Sequence, residues 1–118
     1  MKYMLLLTTD LADGPQEGTP EYDTEMARWG ALNEEMKQAG VYVLASGLQL
    51  PDSATTLRAP GGDPVLTDGP FAETKEVLFS FYIIDVEDLD AAIEWAAKTP
   101  VAKYGAVEIR ATVGYDQA

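Results

Sequence analysis

Val77-Leu78-Phe79-Ser80-Phe81-Tyr82-Ile83-Ile84-Asp85-Val86 is the most apolar run of the chain, and it follows directly on Asp68-Gly69-Pro70-Phe71-Ala72-Glu73-Thr74-Lys75-Glu76. Read as a strand, the run puts Val77, Phe79, Phe81 and Ile83 on one face and Leu78, Tyr82 and Ile84 on the other, so it needs cover on both sides. The nine residues before it form a chain reversal. Gly69 can take a positive φ, Pro70 fixes its own φ and pushes Gly69 away from the helical region, and Asp68 can bond the amides just ahead. Phe71 is then expected to pin the loop to the core. Glu73, Thr74, Lys75 and Glu76 follow with both signs of charge, either solvated or gathered into a site.

Working outward, Tyr3 to Thr9 is a second strand that is apolar on both parities: Tyr3, Leu5 and Leu7 against Met4 and Leu6. Asp10 to Pro20 is a loop. Thr19 is placed to cap a helix and Pro20 to occupy its first position. That helix carries Tyr22, Met26, Trp29, Leu32 or Asn33, and Met36 at three- and four-residue steps, a stripe that packs on a core or lines a ligand site; core packing is the plainer reading. Gly40 ends it with a left-handed cap. Val41 to Leu50 is a strand broken near Ser46-Gly47, and Ala54 to Ala59 extends it or starts a short arm. The glycine pair Gly61-Gly62 reads as a hairpin tip, because no helix with Lys-Ser or Lys-Thr follows to make a phosphate loop. A brief strand at Val65 to Thr67 leads back into the signature.

After the central run, Asp85, Asp88 and Asp90 sit where negative charge favours a helix start. The helix Leu89 to Lys98 is expected to bury Leu89, Ala92, Ile93 and Ala96, with Trp95 off that stripe and Pro100 stopping it. Tyr104 to Val113 alternates, Val107, Ile109, Ala111 and Val113 against Glu108, Arg110 and Thr112, which predicts an edge strand. Strand, helix, strand, strand, helix, strand is the ferredoxin-like βαββαβ order, an α+β class with an antiparallel sheet. Its first and third strands are central, and those are the two that are apolar on both faces. Two helices cover only one face. Leaving roughly five large side chains per subunit in water would cost on the order of 1.5 to 3 kcal/mol each, so a two-fold partner presenting its own sheet is the expected cover.

Composition bounds the chemistry. At 118 residues the chain fits a single domain, 1–118. It has no cysteine and no histidine, which excludes disulfides, cysteine nucleophiles, the usual zinc ligand sets and Ser-His triads. Twenty acidic against eight basic residues give a net charge of −12, which repels polyanions, so direct nucleic-acid binding is not expected. The apolar run at Met4 to Leu7 is too short for a signal peptide or membrane span, and a cytoplasmic location is expected.

The run Asp68-Gly69-Pro70-Phe71-Ala72-Glu73-Thr74-Lys75-Glu76 resembles the signature of DGPF proteins, a branch of the YCII-related family. Met1 to Leu6, Ser46-Gly47-Leu48-Gln49, Asp85 to Asp90, Glu94-Trp95-Ala96-Ala97 and Tyr104 to Arg110 extend the likeness over nearly the whole chain. The resemblance implies a dimeric ferredoxin-like fold, the dimeric α/β barrel. It implies no reaction, although some family members are described as sigma-factor-associated. Where the family usually has two glycines after the signature, this chain has Phe79 and Ser80, so an aromatic ring fills a place of close approach. Relatives for which a His/Asp dyad is proposed cannot lend that chemistry to a chain without histidine.

Two function classes follow. One is a homodimeric small-molecule binder or regulatory partner, acting on a small anionic ligand or a transcription-related protein. The other is a small enzyme, with no cofactor or metal, using carboxylate or Lys acid–base chemistry on an anionic metabolite. In either case the expected cleft lies beside the signature and is lined by Asp68, Glu73, Lys75, Glu76, Tyr82 and Arg110. Gly69, Pro70 and Phe71 shape the turn. Lys75 is the natural contact for an anionic group.

Overall fold

The computed structural model describes residues 1–114. Its core elements are β1 (Lys2–Asp10), α1 (Pro20–Gln38), β2 (Tyr42–Gly47), β3 (Thr55–Arg58), β4 (Val65–Asp68), β5 (Glu76–Asp85), α2 (Leu89–Ala97) and β6 (Ala106–Ala111). Four strands form one antiparallel sheet in the order β2-β5-β1-β6, and β3 and β4 pair separately as a hairpin. This is the ferredoxin-like βαββαβ arrangement, with the β3–β4 hairpin inserted between its second and third core strands. The two strands that are apolar on both faces, β1 and β5, occupy the centre, and β6 with its polar face lies at an edge.

The helices start and stop where local chemistry directs. Thr19 Oγ1 accepts from the Tyr22 N–H at 3.2 Å at the start of α1, and Pro20 occupies its first turn. Gly40, at φ +75°, lets the chain turn so that the Val41 N–H reaches the Met36 carbonyl at 3.0 Å. The Asp88 carboxylate accepts from the Ala91 N–H at 2.9 Å and opens α2. None of the helices among the described residues is long and apolar enough to cross a membrane.

The core lies between the sheet and the helices. Tyr3, Leu5 and Leu7 of β1 and Tyr82 and Ile84 of β5 meet Leu32 and Met36 of α1 and Ala92 and Ala96 of α2. The opposite sheet face carries Met4 and Leu6, paired with Ile83 and Phe81, together with the exposed Leu44 and Leu78. Glu108 and Arg110 pair with each other on that face, beside Leu6 and Met4. The whole is only 18 Å thick, one sheet and one helix layer.

Three expectations are corrected. First, β5 does not keep one alternation throughout. Its register against β1 shifts between Leu7 and Thr8, so Leu7 opposes Ser80 while Thr8 opposes Leu78. The extra residue is Phe79, which turns to the helix side and meets Trp29 instead of sharing a face with Phe81. A one-residue bulge exchanges the faces of everything before it. Second, α2 buries Ala92 and Ala96 but leaves Leu89 and Ile93 about half exposed, because the contact is centred on the two small side chains, which bring the helix close and push its larger neighbours to the rim. Third, Phe71 is 80% exposed and pins nothing to the core. The loop is held by backbone instead: the Gly69 N–H donates to the Ala54 carbonyl at 2.7 Å, and Thr56 Oγ1 donates to the Gly69 carbonyl at 2.7 Å.

Candidate functional site

Helix α1 crosses the sheet at the end where β2 finishes and β5 bulges. Its apolar stripe divides there. Leu32 and Met36 are sealed in the core, whereas Trp29 and Met26, about one and two turns before Leu32, face a cavity of about 390 Å³ between α1, β2 and β5. Tyr42, Ala45, Phe79 and Tyr82 supply the rest of its apolar wall; Asn33 and Ser80 bring polar side chains to it, and Ser46 lines it at the end of β2. Trp29 stacks on Tyr82, with ring centroids 6.3 Å apart and planes 17° apart, and meets Phe79 edge-on at 6.5 Å.

The polar groups of this cavity are arranged by their neighbours. The Tyr82 hydroxyl donates to Asn33 Oδ1, which orients the amide so that its NH2 group can donate to a ligand. Ser80 Oγ donates to the Ser46 carbonyl at 3.0 Å and ties β5 to β2. Burial, with nearby Tyr42 adding to it, pushes the Tyr82 phenol up to about 12, so it stays a neutral donor through the physiological range. No Lys, Arg, Asp or Glu lines the cavity among the described residues.

Glu25 stands on the other flank of Trp29. Its Oε2 accepts from the Trp29 indole N–H at 3.2 Å and from the Tyr104 hydroxyl at 2.8 Å. Burial and the bonded carboxylate raise the Tyr104 phenol well above its ordinary value. Glu25, Arg28 and Tyr104 face a second hollow of about 360 Å³, beside the loop that carries Pro15.

Of the residues singled out from sequence, only Tyr82 lines the first cavity. Asp68 ends β4, exposed; Glu73 lies exposed in the loop, and Glu76 starts β5 opposite Asp10. The Lys75 ammonium is 3.7 Å from Asp10 Oδ2 with its side chain 86% exposed. Arg110 lies on the open sheet face beside Glu108. The charges of the signature are therefore not gathered in one concavity with Tyr82. Trp29, Asn33 and Glu25 were not marked as site residues by sequence reasoning. The signal available was a polar Asn33 inside an otherwise apolar helical stripe; for Glu25 there was none, since a glutamate on a helix is most often solvated.

Residues 1–114 match the YCII-related domain. The chain belongs to the YCII-related family. An uncharacterised protein of Rhizobium meliloti (strain 1021) is 34% identical to this YCII-related protein over 96 residues, 81% of this chain and 77% of that one. Among solved structures, 5-chloro-2-hydroxyhydroquinone dehydrochlorinase from Burkholderia phenoliruptrix AC1100, in complex with 2,5-dihydroxybenzoquinone, is similar at 15% identity and a TM-score of 0.49, with 96% of this chain and 94% of that chain covered.

Proposed function

We propose that this YCII-related protein is a homodimeric small-molecule-binding protein whose ligand is neutral, flat and largely apolar. The observation that carries the reading is the cavity walled by Trp29, Phe79, Tyr82 and Tyr42. Its volume lies within the range of small-ligand sites, and an apolar wall with a few fixed polar groups is what such sites share. Asn33 and Ser80 supply directed hydrogen bonding, and the absence of Lys, Arg, Asp and Glu from the lining among the described residues disfavours an anion there. The dimer is supported by the open sheet face, where Leu44, Leu78, Phe81 and Ile83 have no helix over them.

Titrating the protein with a panel of neutral planar phenols and heteroaromatics, followed by tryptophan fluorescence and by thermal shift, tests the ligand class. Quenching that disappears in Trp29→Phe, together with a raised melting temperature in the wild type, is the expected result. A panel that leaves both signals unmoved, while small carboxylates shift them, overturns it.

A second reading, acid–base catalysis, is supported by Glu25. Both donors bond its Oε2, which leaves Oε1 able to take a proton from a molecule in the neighbouring hollow. Turnover of any bound compound that is lost in Glu25→Gln while binding persists would favour this reading over simple binding. A transcription-related partner finds no specific support in the geometry.

A further inference from the structure

The β3–β4 hairpin projects from the protein without a surface of its own to pack on. Its strands pack on each other and on no other element to any substantial extent. Leu57 and Leu66 are cross-strand partners on one face of it, and they are 60% and 65% exposed. Phe71 follows in the adjoining turn, also bare. A two-stranded hairpin alone in water is at best marginally stable. Its two ends and the turn that follows are tied to each other by the Gly69–Ala54 and Thr56–Gly69 bonds and by Arg58, whose Nη2 donates to the Phe71 carbonyl at 3.4 Å. Hairpin and turn thus form one unit that holds an apolar pair out into solvent.

The dimensions of the protomer are those of an open shape with surface to spare for a partner. Its radius of gyration is 16.3 Å, against about 13.5 Å for a compact domain of this length. Its accessible surface is 8021 Å², against roughly 6,300 Å² for a monomeric protein of 12.8 kDa. The surplus, roughly 1,700 Å², is about twice the 800 Å² or so that each partner contributes to a standard interface. Exposed apolar side chains lie both on the open sheet face, at Leu44 and Leu78, and on the arm and its turn, at Leu57, Leu66 and Phe71.

We propose that the β3–β4 arm, through Leu57, Leu66 and Phe71, clasps a second copy of this chain and extends the dimer contact beyond the sheet face. The inference rests on the dimer of the preceding section and adds a second, separable contact to it. A copy of the same chain is the occupant because exposed apolar side chains lie on both the arm and the sheet face of one protomer, and a two-fold pairing covers both at once.

Sedimentation velocity across a dilution series, on the wild type and on the double variant Leu57→Ser/Leu66→Ser, tests this. Both positions are exposed in the protomer, so the variant keeps its fold, as circular dichroism checks. The expected result is a wild-type dimer and a variant whose dissociation constant is at least tenfold higher. The chain has no cysteine, so Leu66→Cys provides an independent readout. Its thiol is expected to resist maleimide at concentrations far above the dissociation constant and to react on dilution. An unchanged dissociation constant in the double variant, or a thiol that reacts at the same rate in the dimer as on dilution, overturns the clasp and leaves the sheet-face dimer standing. A wild type that is monomeric throughout overturns both.

Discussion

Trp29 lies parallel to Tyr82, 17° off coplanar with centroids 6.3 Å apart, and this stack joins helix α1 to the central strand β5 at the wall of the cavity. Removing the ring should act on stability and binding together. Trp29→Ala should cost about 3 kcal/mol, the low end for such truncations because the side chain is only half-buried, and should abolish any fluorescence-detected ligand. Denaturant unfolding of both proteins measures the first effect and ligand titration the second.

Two glycines are required for different physical reasons, and the difference is measurable. Gly69 has φ +100° with open space around a would-be Cβ, so Gly69→Val should cost about 1 to 2 kcal/mol from backbone strain alone. Gly105 has no positive φ, but a Cβ there would stand 2.3 Å from the Thr8 carbonyl oxygen. Gly105→Ala should therefore push β1 and β6 apart and cost about 2 to 3 kcal/mol, more than Gly69→Ala. Equal melting temperatures for the two alanine variants would contradict this account.

The raised phenol of Tyr82 makes stability depend on alkaline pH. Its pKa is about 12 in the folded protein against 10.0 for the free group. The unfolded chain therefore loses this proton first as pH rises, and the stabilisation, complete below pH 10.0, is lost on the way to about 12. Unfolding free energy should fall across that window. Tyr82→Phe should lower the slope there and remove a late-titrating component from the tyrosinate absorbance near 295 nm, a region where phenolate absorbs.

Lys75 offers a counter-test of the charge-based site. With its ammonium exposed and a single carboxylate 3.7 Å away, Lys75→Met should change stability by no more than about 0.5 kcal/mol and should leave ligand-induced thermal shifts untouched. Loss of those shifts in this variant would return the signature loop to the centre of the binding site.

Phe81→Glu probes the open sheet face. Phe81 opposes Leu6 and Ser46 on that face, and a carboxylate introduced there has no cationic partner within its own pair. It should dissociate the dimer at micromolar concentration while leaving the protomer folded, since the ring is not part of the sealed core. Light scattering reads the mass and circular dichroism the fold.

What the sequence by itself determined is what local chemistry and periodicity control. The double apolar parity of β1 and β5 placed them at the centre of the sheet. The polar face of Glu108 and Arg110 placed β6 at an edge. Thr19, Gly40, Asp88 and Gly69 announced their caps and turn, because each acts on backbone groups within a few residues of itself. Only the tertiary structure decided the rest. The bulge at Phe79 depends on how β5 registers against β1, and a shift of one residue moved that ring from the open face to Trp29. Leu89 and Ile93 reach the rim because α2 approaches the sheet through Ala92 and Ala96, a distance set by both partners. The cavity exists where α1 passes β2 and β5, so Trp29 and Asn33, one helical turn apart, share a wall with Tyr82, far away in the chain, and no spacing encodes that meeting.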